Sequence, residues 1–139
     1  MAQGNGQPLE AWFLELVEEI RNWHSEALKT GGADGEHTAR LHASVGRAFQ
    51  SAFGRPAYAT DFDKAGALFH GLVCNHPFVD GNKRTAVLTS ILFLVSRGCL
   101  PGAPSRIQVR MLGELAIEAA SSKVAVDEVI YWLHRVLDP

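Results

Sequence analysis

A chain of 139 residues suits one domain with one hydrophobic core, expected here over 1–139 with residues 1–7 flexible. Apolar residues make up 47% and charged residues 20%, the balance of an ordinary water-soluble globule. The net charge of −2 and a pI near 6.3 lack the basic excess of a general nucleic-acid binder, so no direct nucleic-acid partner is expected.

Met1 to Pro8 is rich in Gly and Gln and lacks the charged start and apolar stretch of a secretory signal. The longest strongly apolar run, Ala86 to Val95, falls far short of the roughly 20 residues that span a bilayer. Cys74 and Cys99 lie in apolar surroundings without CxxC or Cys/His ligand spacing. They read as two buried free thiols, as in a reducing compartment. A soluble cytoplasmic protein without a membrane segment is the expectation.

In chain order, Leu9, Trp12, Phe13, Leu16, Val17, Ile20 and Trp23 recur at three- and four-residue steps and predict a long amphipathic first helix, with Pro8 near its start. Thr30–Gly35 carries three glycines and breaks the pattern. A second helix is expected from about Glu36 to Phe53, with Leu41, Val45, Ala48, Phe49 and Ala52 inward, ended by Gly54-Arg55-Pro56. After an irregular Ala57–Thr60, Asp61 reads as the N-cap of a third helix that buries Ala65, Leu68, Phe69, Leu72 and Val73 and runs into His76-Pro77. The fourth helix starts near Asn82 and ends at Gly98, and its middle is apolar almost all round, as suits the centre of a bundle. Pro101–Pro104 is a loop. A fifth helix carries Val109, Leu112, Leu115 and Ala119; a sixth begins near Asp127 with Val129, Ile130, Leu133, Val136 and Leu137. No strand pattern competes. The expected fold is all-α, one helical bundle around the fourth helix.

The nine residues from His76 to Arg84 concentrate unusual chemistry. They lie between a helix end and the start of a buried helix, where free backbone N–H groups attract anions, phosphate above all. Gly81 lets the backbone come close. Lys83 and Arg84 oppose the helix dipole in a first turn, so a structural reason for them is lacking and a bound polyanion resolves the conflict. Asp80 is a hard oxygen ligand suited to Mg²⁺ beside a phosphate. His76 is the group whose ordinary pKa suits proton transfer near neutrality. Pro77 restricts the turn, and Phe78 can anchor the loop in the core.

The string His76-Pro77-Phe78-Val79-Asp80-Gly81-Asn82-Lys83-Arg84 resembles the Fic/Doc family motif. Fic forms read His-Pro-Phe-x-Asp/Glu-Gly-Asn-Gly-Arg-x-x-Arg. The death-on-curing (Doc) form reads His-x-Phe-x-Asp/Asn-Gly/Ala-Asn-Lys-Arg, and every position of it is met. Lys83 stands where Fic enzymes have their second glycine, and Val87 where they have a second arginine. Ser51-Ala52-Phe53-Gly54-Arg55-Pro56 and Ala65 through Asn75 also resemble Doc-like segments, so the resemblance covers about residues 36 to 98.

The resemblance implies that His76 deprotonates an acceptor hydroxyl on a target protein and that Asp80 holds Mg²⁺ on the phosphates of ATP. It implies that Gly81, Asn82, Lys83 and Arg84 bind phosphates, with Lys83 and Arg84 stabilising the transferring charge. Fic enzymes typically move AMP onto a Ser, Thr or Tyr hydroxyl, whereas Doc-type proteins turn the nucleotide around and transfer its terminal phosphate, a change associated with the lysine. The Doc target class is a threonine of a translation elongation factor. The resemblance thus implies a toxin kinase, with a Fic-like nucleotidyltransferase and a weakly catalytic antitoxin-binding module as alternatives. Many Fic proteins restrain themselves with a Ser/Thr-x-x-x-Glu-Gly/Asn helix. No glutamate here is followed by Gly or Asn, so inhibition is expected from a separate antitoxin of the prevent-host-death type.

Other residues carry blander readings. His24, His37, His42 and His134 are expected to be surface or satisfied structural histidines, and His70 a helix residue near the motif. Arg55 is a candidate for reaching a phosphate or a target chain, against a surface pair. Trp12, Trp23 and Trp132 are expected in the core, Asp61 and Asp63 at a helix start, and Arg106 and Arg110 on a solvated face.

Overall fold

The apolar stripe of the first helix and the buried run after Asn82 meet in a helical bundle, seen in a computed structural model that describes residues 6–138. Residues 1–5 and 139 lie outside the described residues, and with them most of the segment expected to be flexible; 6 and 7 belong to the first helix. Six helices follow one another: α1 (Gly6–Ala27), α2 (Thr38–Ala48), α3 (Asp61–Cys74), α4 (Asn82–Ser96), α5 (Arg106–Ser121) and α6 (Val126–Leu137). A short 3-10 turn, Leu28–Thr30, extends α1. The all-α expectation holds, as do the positions of α1, α4, α5 and α6.

The second helix ends five residues earlier than its apolar pattern suggests. Phe49 leaves the helical region, and Gly54 makes possible a tight hairpin in which β1 (Ser51–Ala52) pairs antiparallel with β2 (Arg55–Pro56). Phe53 and Gly54, both at positive φ, form its two-residue turn, the geometry that matches strand twist. Ala52 is therefore exposed rather than inward. Two-residue strands are too short to leave an alternating pattern, which is why the sequence showed none. Likewise Asp61 is not the cap of α3. Thr60 is: its hydroxyl accepts from the Asp63 N–H at 3.0 Å while the Asp63 carboxylate accepts from the Thr60 N–H at 3.3 Å.

The core is shared by two central helices. α4 packs against α1, α3 and α5, and α3 against α2, α4, α5 and α6. Glycine permits the close crossings of α3: a Cβ on Gly66 would collide with Ile130 of α6, and one on Gly71 would lie 3.2 Å from Ser44 of α2. Phe69, Leu68, Leu72, Leu94, Ile20, Leu41, Leu112 and Leu133 are fully buried. Burial is less than expected at four residues. Val109 and Trp132 are exposed, Trp132 packing edge-on against Tyr131. Cys74 is exposed at the end of α3, and Cys99 half-buried beyond α4. Both cysteines are free, and burial still pushes both thiols up, so they stay protonated. No helix among the described residues is long and apolar enough to cross a membrane.

Candidate active site

The loop between α3 and α4 is shaped by three backbone decisions. α3 ends at Asn75, and His76 turns the chain at φ +48, a conformation histidine tolerates better than most residues. Phe78 then drops into the core, 4% exposed. Gly81, at φ +80, turns the chain again as the cap of α4. Asn82 ties the loop together. Its Oδ1 accepts from the Phe78 N–H at 3.0 Å, and its Nδ2 donates to the Phe78 carbonyl at 2.8 Å. Those two bonds fix which end of the carboxamide is nitrogen, so the second N–H of Nδ2 faces His76 Nδ1 at 3.3 Å. The imidazole is thereby held at the surface by a long, weak bond that exchanges readily for another donor.

The segment before α2 closes over this loop. The Val79 N–H donates to the Gly35 carbonyl at 2.9 Å and the His37 N–H to the Pro77 carbonyl at 2.6 Å, a strand-like pairing of Glu36 with Phe78. A Cβ on Gly35 would strike Val79 Cγ2 at 2.7 Å, which explains a glycine there. Arg21 of α1 fixes the segment with two bonds to the Glu36 carboxylate, at 2.8 and 2.7 Å. This hydrogen-bonded pairing holds the Glu36 carboxyl down at about 2 against the cost of desolvation, and raises the Arg21 guanidinium. The Asp80 carboxylate accepts from the Ala33 N–H at 3.1 Å.

Helix α4 begins with no side-chain cap. Its first intrahelical bond runs from the Thr85 N–H to the Gly81 carbonyl, which leaves the N–H groups of Asn82, Lys83 and Arg84 as the free donors of the first turn. Such an end carries a partial positive charge, to which Lys83, exposed and without a hydrogen bond or ion pair among the described residues, adds a full one.

The model of the Fic/DOC family matches residues 13–94, more than half of the chain and all of this loop. The chain belongs to the Fic/DOC family. Over 58 residues it is 45% identical to the protein called Toxin Doc of Mycolicibacterium smegmatis (strain ATCC 700084 / mc(2)155), a match of 42% of this chain and 45% of that relative. The chain covers less than half the length of that relative. The likeness is Doc-like, in keeping with Lys83.

Measured against the Fic/DOC motif, the structure brings His76, Asp80, Gly81, Asn82 and Lys83 to one end of α4. Arg84 corrects the expectation that it lacks a structural reason. Its guanidinium donates to the Ala27 carbonyl at 2.7 Å and to the Thr30 hydroxyl at 2.6 Å, at the C-terminal end of α1 where a cation is favoured. Arg55 is not brought to the site. Its hairpin borders a hollow shared with Trp12, Phe49 and Arg97, at the opposite end of α4. His70 turns away, bonded to the Val124 carbonyl at 2.8 Å and Arg47 at 3.1 Å.

Three features of this Fic/DOC site were missed. Arg110, assigned to a solvated face, lines a cavity of about 650 Å³ together with Lys83, Arg84, Val87, Ile91 and Ile117. Arg21 and Glu36 were not singled out, because an ion pair between residues so far apart leaves no spacing signal. His24, a satisfied structural histidine as expected, is satisfied by the motif itself: its Nε2 lies 2.8 Å from the Asp80 carbonyl oxygen and its ring stacks on Phe78 at 3.8 Å. The other histidines are structural. His37 caps α2, His42 meets Phe13 edge-on and His134 stacks on Phe62.

Proposed function

We propose that this chain is a Doc-like toxin that transfers the γ-phosphate of ATP to a Ser or Thr hydroxyl of a target protein, a translation elongation factor being the favoured target. The observation that carries the reading is the uncapped N-terminus of α4, flanked by Lys83 and by the surface imidazole of His76. Phosphoryl transfer asks for alignment and charge neutralisation more than for covalent help. The free N–H groups of Asn82 and Lys83 and the Lys83 ammonium would receive the phosphates. Arg84 would join them from its place at the end of α1. His76 would take the proton of the acceptor hydroxyl as that oxygen bonds to the γ-phosphorus and the bond to the β–γ bridging oxygen breaks, releasing ADP. A positioned base of this kind contributes about 10²- to 10⁴-fold.

The residues fit Mg²⁺ carried by the nucleotide. No group of three or more protein ligands occurs among the described residues, and Mg²⁺ on a nucleotide needs only one or two carboxylates beside the phosphates. Asp80 would supply one: a single oxygen, Oδ2, is engaged with Ala33, and Oδ1 makes no hydrogen bond among the described residues. The ion supplies charge neutralisation on the phosphates.

The toxin reading rests on the likeness to Toxin Doc and on the cavity beside Lys83. Val87, Leu88, Ile91, Val109 and Ile117 give that cavity an apolar wall, and Lys83, Arg84 and Arg110 line it alongside Glu26 and Glu114. An apolar segment of a prevent-host-death antitoxin suits that wall. Expression of the chain alone in a bacterial host is expected to arrest growth, and His76→Ala to relieve the arrest at equal protein level. Normal growth with abundant folded wild-type chain would contradict the toxin reading.

A further inference from the structure

His24 is an odd residue for its position. It sits on the inner face of α1, 3% exposed, where packing alone would favour leucine or phenylalanine. Its ring lies parallel to Phe78, 8° between planes, and a Cβ on Gly81 would lie 3.6 Å from it, so it touches the motif at both residues. Its Nε2 reaches the Asp80 carbonyl oxygen at 2.8 Å; since a carbonyl only accepts, Nε2 carries the proton and donates.

That bond has a directional consequence. A trans peptide is planar, with its C=O and N–H pointing in opposite directions. Drawing the Asp80 carbonyl toward α1 therefore turns the Gly81 N–H away from α1. That N–H has no hydrogen-bond partner among the described residues. It stands immediately before the free donors of α4. We infer that His24 is a positioning residue: it aims the Gly81 amide toward the phosphate cradle by holding the peptide's other end. The inference rests on the phosphate-site reading above and adds to it a residue on a different helix, outside the motif.

Two variants separate aiming from packing. His24→Phe keeps an aromatic ring against Phe78 and removes the donor. His24→Gln restores a donor of similar reach without the ring. The readouts are the affinity for inorganic pyrophosphate with Mg²⁺, measured by calorimetry on the full chain, the pyrophosphate-induced shift of the Gly81 amide in nitrogen-15 spectra, and the melting temperature. His24→Phe is expected to bind pyrophosphate about tenfold more weakly, as for loss of one hydrogen bond to an ion, and to lose the Gly81 shift. His24→Gln is expected to recover most of the affinity whatever its melting temperature. Wild-type affinity in a folded His24→Phe chain would overturn the inference while leaving the phosphate site standing. So would losses in both variants that follow melting temperature alone. A wild-type chain that binds no pyrophosphate would contradict the phosphate-site reading, and this inference with it.

Discussion

At Asn82 one carboxamide serves both backbone groups of Phe78 and still reaches His76. Asn82→Ala leaves a buried N–H and carbonyl without partners, and a loss of about 2–3 kcal/mol in unfolding free energy is expected by denaturant titration. Gly81 is the other fixed point. Alanine there must hold a left-handed φ of +80 with its Cβ 3.3 Å from Leu28, and about 1–2 kcal/mol should be lost. Both residues stood out in the sequence as positions of the His76-to-Arg84 motif, Gly81 also because it lets the backbone come close. The roles of His24 and of Arg84's bond to the Ala27 carbonyl did not, since each depends on a partner more than fifty positions away. A histidine in an apolar stripe looks alike whether it fills space or donates a bond.

The element most exposed to test is the segment between α1 and α2. Its pairing with the motif hangs on Glu36 and Arg21. A carboxyl whose folded pKa is about 2, below its ordinary 4.5, stabilises the fold above pH 4.5, and that contribution is lost as pH falls from there through about 2. Glu36→Gln should therefore lower stability at pH 7 by about 1 kcal/mol, a figure discounted for solvent screening, with the gap to wild type closing below pH 4.5 in parallel melts. The helices around this segment were legible because each buries a stripe repeated over three or more turns. The hairpin after α2 was not. Val45, Ala48, Phe49 and Ala52 continue a helical period past the point where Phe49 leaves it, and only the positive φ of Phe53 and Gly54 reveals the turn. The cap of α3 was misplaced by one residue because Thr60, Asp61 and Asp63 are all competent capping types; the reciprocal Thr60–Asp63 pair decides it.

Across the whole molecule, α1 serves as a back plate: His24 and the carbonyl of Ala27 fasten the His76-to-Arg84 loop, and Arg21 fastens the segment that closes over it. A bundle so arranged transmits damage. Leu94→Ala in α4, fully buried, is expected to cost about 2–5 kcal/mol and to lower the melting temperature accordingly. The central claim is that the His76-to-Arg84 loop moves a terminal phosphate. It is tested most directly by incubating purified chain with Mg²⁺ and a bacterial lysate, using ATP labelled at the γ-phosphate and, in parallel, at the α-phosphate, with His76→Ala beside each. The account expects protein labelled from the γ-phosphate alone, and none with His76→Ala. Labelling from the α-phosphate that depends on His76 would make the chain a nucleotidyltransferase and contradict the reading of Lys83; no labelling from either would leave it a binding module.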